Sequence, residues 1–161
     1  MWVVWGSPWL LARHVEVRGT AILSAEEVTE AAQVPLGTPL AAMDTAGIEA
    51  RVTGALPAVA SVKAGRSWPG TVTLDVTERT PAVAIPLGRD HLWVSADGVV
   101  FHRTPKPPEG VLVADGSVTD AKTIASLATV AAALPPEVRA KAKGITAATL
   151  DSVTVNLEDG R

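Results

Sequence analysis

Apolar and polar positions alternate with period two in three stretches of the first half of the chain, and with helical period in two others. In His14-Val-Glu-Val-Arg-Gly, Val15 and Val17 fall on one face of an extended segment that Gly19 ends. Ser24-Ala-Glu-Glu follows, a capping box in which the Ser24 hydroxyl accepts from the Glu27 amide while the Glu27 side chain reaches back, with Leu23 and Val28 at the staple positions. The helix that starts there carries Val28, Ala31 and Ala32 on its apolar side and is bounded by Pro35 and Gly37. Asp44 is a second N-cap, and Ile48, Val52, Ala55 and Leu56 make an i, i+4, i+7, i+8 stripe up to Pro57. Ala60, Val62 and Ala64 then alternate with Ser61, Lys63 and Gly65, which predicts a second strand. A third places Val72, Leu74 and Val76 opposite Thr73, Asp75 and Thr77. Trp68-Pro69 favours an extended chain before the proline, Gly70 permits the turn, and Pro81 stops the third strand by removing a ladder donor. The predicted order up to Glu78 is β-α-α-β-β.

Beyond Pro81 short strands dominate: Val83 to Ile85, Leu92 to Val94, and Val99 to Phe101 after the Asp97-Gly98 hairpin signal. Thr104-Pro-Lys-Pro-Pro-Glu-Gly is a turn-rich connector leading to a strand at Val111-Leu-Val. Ile124, Leu127, Ala128, Ala131 and Leu134 trace another helical stripe, which Pro135-Pro136 ends before a short basic turn. Val153-Thr-Val-Asn-Leu reads as a strand, and the Asp159-Gly160 pair after it opens a hairpin whose return strand would lie beyond Arg161. The expectation is therefore a β-domain that continues past this sequence.

Composition narrows the chemistry. With 161 residues the chain fits one ordinary domain or two small ones, at about 100 to 200 residues per domain, and the change of pattern near Pro81 favours two. A net charge of -3 with scattered Arg and Lys argues against a nucleic-acid surface. There is no Cys, which excludes disulfides, thiol nucleophiles and Cys-ligated zinc. His14, His91 and His102 are far apart and lack ligand spacing, so no metal or cofactor site is expected. Asp75 and Glu78 lie on opposite faces of a strand and make a poor acid/base pair; Ser24, Glu26 and Glu27 are accounted for by helix capping and the helix dipole. Gly65-Arg-Ser-Trp-Pro-Gly lacks the Lys and the following helix of a phosphate loop. No catalytic residues and no small-molecule substrate are expected. Trp68 and Trp93 read as anchors buried against a sheet. Met1-Trp-Val-Val-Trp-Gly-Ser-Pro-Trp-Leu-Leu-Ala holds three of the five Trp residues and is too short to span a bilayer. It reads either as the outer end of a transmembrane helix, where Trp meets the headgroups, or as an apolar arm packed on the domain.

The run Leu56-Pro-Ala-Val, Val62, Arg66, Trp68-Pro, Val72, Leu74, Val76, Glu78-Arg, Pro81-Ala-Val-Ala, then Asp97-Gly-Val-Val-Phe resembles the FtsQ/DivIB cell-division family, in an actinobacterial-like form. The Val15-Glu-Val-Arg-Gly strand and the Ser24-Ala-Glu-Glu-Val helix start fit the same family, over roughly residues 9 to 160. The resemblance implies an α+β fold. Residues 1–11 would be the membrane-proximal segment, 12–80 a POTRA domain, and 81–161 an incomplete, mainly antiparallel FtsQ-type β-domain with one or two helices. It further implies a non-enzymatic divisome scaffold, single-pass in the cytoplasmic membrane, with this region on the extracytoplasmic face at the septum. Its implied partners are FtsB/DivIC-type and FtsL-type proteins, bound by β-strand addition and POTRA contacts, the main pairing strand lying beyond Arg161. In that family the second POTRA strand lies at a sheet edge and the surface around it takes part in partner recruitment, and the resemblance puts Ser61, Ala64, Arg66 and Glu78 at the matching positions. Read from the residues alone, Arg66 and Glu78 are solvated surface charges of little energetic weight. The alternative is a chaperone-like, peptide-binding POTRA module of an outer-membrane assembly or secretion system, which would come as tandem repeats.

Overall fold

A computed structural model describes residues 10–115, 118–149 and 152–157, and the chain divides into two units, Met1–Glu78 and Arg79–Arg161, each with its own apolar core. The N-terminal unit contains strand β1 (His14–Arg18), helix α1 (Ala25–Ala32), a 3-10 turn at Leu40–Ala42, helix α2 (Thr45–Ala55), and strands β2 (Val59–Ser67) and β3 (Thr71–Glu78). The sheet order is β1-β3-β2, with β1 parallel and β2 antiparallel to β3. Both caps form as the sequence requires. The Ser24 hydroxyl accepts from the Glu27 amide at 3.2 Å, the Ser24 amide donates to the Glu27 carboxylate at 2.8 Å, and Asp44 accepts from Gly47 at 3.0 Å. The bonds from the Ser24 amide and then the Ser24 hydroxyl hold the Glu27 carboxyl below its ordinary range. Helix α1 closes on Gln33 in the left-handed conformation, before Pro35 is reached.

Val28, Ala32, Leu40, Ile48, Val52, Val72 and Leu74 are fully buried between helices and sheet. Each larger one contributes about 1.5–3 kcal/mol of apolar burial. The predicted inward set is modified at two places. The register slips between Val59 and Ser61, so Val59 is buried and Ala60 is pushed out to solvent. Ala55 is exposed because helix α2 has turned its buried stripe onto Ile48 and Val52. Gly19 ends β1 at φ 82°, and a Cβ there would stand 2.1 Å from the Val76 carbonyl oxygen, so only glycine fits.

In the second unit, strands β4 (Pro81–Leu87), β5 (Asp90–Ser95), β6 (Val100–Thr104) and β7 (Leu112–Val113) form a sheet of order β6-β5-β4-β7, antiparallel except where β7 pairs with β4. Helix α3 (Ala121–Ala133) buries Ile124, Leu127, Ala128 and Ala131 against it. The basic stretch after Pro135 is a helix, α4 (Pro136–Lys141), rather than a turn, with Arg139 donating to the Ala131 carbonyl at 2.9 Å. A strand the sequence pattern does not mark, β8 (Ala142–Thr149), pairs antiparallel with β9 (Ser152–Leu157) and joins the sheet through a parallel bridge between Ala114 and Ile145. The Asp97-Gly98 turn forms with the Gly98 amide donating to Ser95 at 2.9 Å. The Asp97 carboxylate there accepts from the Ser95 hydroxyl and, at 2.6 Å, from Arg79, and is held below its ordinary range, mainly by Ser95.

The two tryptophans separate. Trp93 is half-buried, donates to the Thr104 hydroxyl at 2.9 Å and meets Phe101 and His102 edge-on. Trp68 is 55% exposed, at the tip of the β2–β3 hairpin before a cis Pro69, and is not buried against the sheet. Residues 1–9 and the Asp159-Gly160 hairpin signal lie outside the described residues, and no helix among those described is long and apolar enough to cross a membrane.

Candidate protein-binding edge

Strand β2 borders the three-stranded sheet because β3 is paired on both sides and β2 on one. Its pairing with β3 sets Lys63 opposite Asp75, Ala64 opposite Leu74 and Arg66 opposite Val72. The Ala64 amide points away from β3 and donates to the Glu49 carboxylate of α2 at 2.8 Å. Backbone groups alternate sides along a strand, so the amides and carbonyls of Val62 and Arg66 also face outward, while those of Lys63 and Gly65 face β3. Side chains alternate between the faces as well. Val62 is buried and Ala64 half-buried on the helix side, where the Arg66 guanidinium donates to the Met43 carbonyl at 2.7 Å. Ser61 and Lys63 are exposed on the other face. Thr73 covers Gly65 there, its hydroxyl oxygen only 2.6 Å from where a Cβ would stand.

Glu78 is placed differently from the other three candidate residues. It ends the central strand, opposite Val59, and is half-buried. Its carboxylate accepts from the amides of Ala21 (3.0 Å), Ile22 (3.0 and 2.9 Å) and Leu23 (2.8 Å), the segment that leads into the α1 cap. This carboxylate is thus a clamp inside the unit, with far more weight than a solvated surface charge. The structure brings Ser61, Ala64 and Arg66 onto one edge strand and directs Glu78 to another loop.

Glu49 is the residue sequence reasoning missed. Its place beside Ile48 puts it at the margin of the buried stripe of α2, but helical spacing alone does not show that it reaches across to a strand amide. A charged group over an edge is a common guard against uncontrolled strand pairing. Among the described residues no cluster of three or more His, Asp or Glu side chains could hold a metal ion.

The family model "POTRA domain, FtsQ-type" matches residues 10–79, the β-α-α-β-β unit whose edge is β2. The "Cell division protein FtsQ" of Streptomyces bingchenggensis is 38% identical over 99% of this chain and 64% of its own length. That of Streptomyces coelicolor is 34% identical over 100% of this chain and 66% of its own. The chain belongs to the FtsQ cell-division family. The protein of the same name from Mycolicibacterium smegmatis is 40% identical over 96% of this chain and 46% of its own length. This FtsQ-family chain therefore spans just under two thirds of the two Streptomyces relatives and about half of the third. The matched family model reaches one residue past the division between the two units, so the β2 edge belongs wholly to the POTRA part.

Proposed function

We propose that this protein is a non-catalytic divisome scaffold that holds proteins of the FtsB/DivIC and FtsL types at the extracytoplasmic face of the septal membrane, anchored by a single transmembrane helix preceding the POTRA unit. The second unit provides the main FtsB-type contact by strand addition. The POTRA unit adds a second contact along β2, with Ser61, Ala64 and Arg66 at the interface and Glu78 maintaining the unit's shape. The observation that carries the POTRA contact is the outward register of Val62, Ala64 and Arg66 on an edge strand whose centre, Ala64-Gly65, is small. A partner strand laid there would form a main-chain ladder, and Ser61 and Arg66 would supply the few side-chain contacts. Since Glu49 already engages the central amide, an incoming strand exchanges one charge-assisted bond for several backbone bonds.

The second unit favours this reading over a chaperone-like POTRA array. Its β6-β5-β4-β7 order, followed by a helix and the β8–β9 hairpin, is not a further β-α-α-β-β copy. A photo-crosslinking amino acid placed singly at Ser61, at Arg66, or at Glu16 on the opposite edge tests the contact in dividing cells. Adducts to a division protein are expected from Ser61 and Arg66 and not from Glu16. Adducts from Glu16 alone would move the contact to β1.

A further inference from the structure

Three segments of the POTRA unit meet where the chain runs into β1. The Ala12 amide donates to the Thr38 carbonyl at 2.9 Å and its carbonyl accepts from Gly37 at 2.8 Å, which stitches the 34–39 loop alongside the incoming chain. The Arg13 and His14 amides donate to the Gly70 carbonyl at 2.8 and 3.2 Å, which adds the tip of the β2–β3 hairpin. The approach is close enough that a Cβ on Gly70 would stand 2.8 Å from the Leu11 carbonyl oxygen. Among the described residues three large apolar side chains are exposed, and two of them, Leu36 at 59% and Trp68 at 55%, are on these segments. Residues 10–14, 34–39 and 66–70 contain Arg13 and Arg66, the latter with its guanidinium on the Met43 carbonyl, and no carboxylate, in a chain whose net charge is -3. Directly before them the sequence carries Trp2, Trp5 and Trp9.

Exposed Trp68 and exposed Leu36, on the two segments that flank the incoming chain, give nothing to a folded core. An indole with its apolar body sunk and its N-H wet suits the headgroup layer of a bilayer, and surrounding cations without carboxylates suit anionic phosphates. We propose that this end of the POTRA unit is a membrane-contact surface, with Trp68 and Leu36 entering the headgroup region of an anionic bilayer. The proposal rests on the reading above that the chain is held at a membrane. It adds that the domain itself leans on the lipid, so that β2, running from Ser67 at the contact to Val59 at the far end, stands away from the bilayer over about 25 Å.

Because the sequence has no cysteine, one introduced thiol gives a unique label. Ser67→Cys and Ala60→Cys, both exposed and at opposite ends of β2, would each carry an environment-sensitive fluorophore. Each labelled chain is mixed with vesicles of equal phosphatidylglycerol and phosphatidylcholine containing brominated acyl chains. A blue shift and quenching are expected at position 67 and neither at position 60. Trp68→Ser with Leu36→Ser, both at solvent-exposed sites, should weaken partitioning about tenfold or more. Vesicles of phosphatidylcholine alone should bind less. Three results would overturn the proposal. One is a silent label at 67 on vesicles that bind the chain, which assigns binding to the Trp-rich leader. Another is a double variant that partitions like the parent. The third is a label at 67 that responds only to an added division protein. Crosslinking from Ser61 and Arg66 does not depend on Trp68 or Leu36, so the scaffold reading stands or falls separately.

Discussion

Replacing Glu78 by Ala removes an acceptor shared by three backbone amides, those of Ala21, Ile22 and Leu23, at 2.8 to 3.0 Å. Water can replace it at exposed Ala21 at little cost. The amides of Ile22 and Leu23 are half-buried, and a bond to a charged acceptor contributes about 1.5–3 kcal/mol each. Taking the lower value for both gives a loss of about 3 kcal/mol, a large part of the 5–15 kcal/mol typical of a domain. Glu78→Gln keeps one acceptor oxygen but sets an NH2 group against donors, and should lose about 2 kcal/mol. Native-state hydrogen exchange at Val72, Leu74 and Val76 in the central strand reads the POTRA unit without interference from the other unit. Exchange there should speed up about a hundredfold in Glu78→Ala, at 1.4 kcal/mol per tenfold. A change under about 0.5 kcal/mol, as for an ordinary surface charge, would refute the clamp. Lost partner binding at unchanged stability would make Glu78 a contact residue instead.

Gly19→Ala should destabilise the POTRA unit by 2 kcal/mol or so, because it combines a positive φ with a Cβ placed 2.1 Å from the Val76 carbonyl oxygen; an unchanged urea midpoint would contradict this. Glu49→Ala should release the Ala64 amide to exchange and tighten strand addition at β2 by up to about tenfold, visible in titration with an FtsB-type partner, whereas Glu49→Gln should stay near the parent. The Asp97 carboxyl is held low by Ser95 and Arg79, so its contribution to the second unit is present above the ordinary aspartate pKa of about 3.9 and is lost as pH falls through its lower folded value. Asp97→Asn should therefore be less stable than the parent at pH 7, and the difference should shrink as the pH falls below the ordinary aspartate range; a difference that does not shrink in acid would contradict the assignment.

Local signals carried most of the fold. The Ser24 box, the Asp44 cap and the Val72-Leu74-Val76 alternation each involve residues within a few positions of one another, and each formed as read. Strand β8 escaped because Ala142–Thr149 is built mainly of small residues around one deeply buried apolar side chain, Ile145, too few to reveal a period. The bulge at Ala60 depends on register with β3, which no single strand specifies. The site shows the same division. The edge position of β2 followed from the family resemblance. The role of Glu78 did not, since its amide partners lie 55 to 57 positions away, and the Glu49–Ala64 bond spans 15. Trp68 was misread because a large aromatic is buried by default, and its exposure emerges only when the hairpin tip is placed.

The most direct test of the β2 contact is the amide exchange pattern of that strand with and without an FtsB-type partner. The account predicts alternating protection. Val62 and Arg66 should slow by at least about tenfold as their outward amides pair, and Ala64, already bonded to Glu49, by less, whereas Lys63 and Gly65, already directed at β3, should change little. Protection confined to the second unit, or spread evenly along β2 without alternation, would contradict strand addition at the POTRA edge.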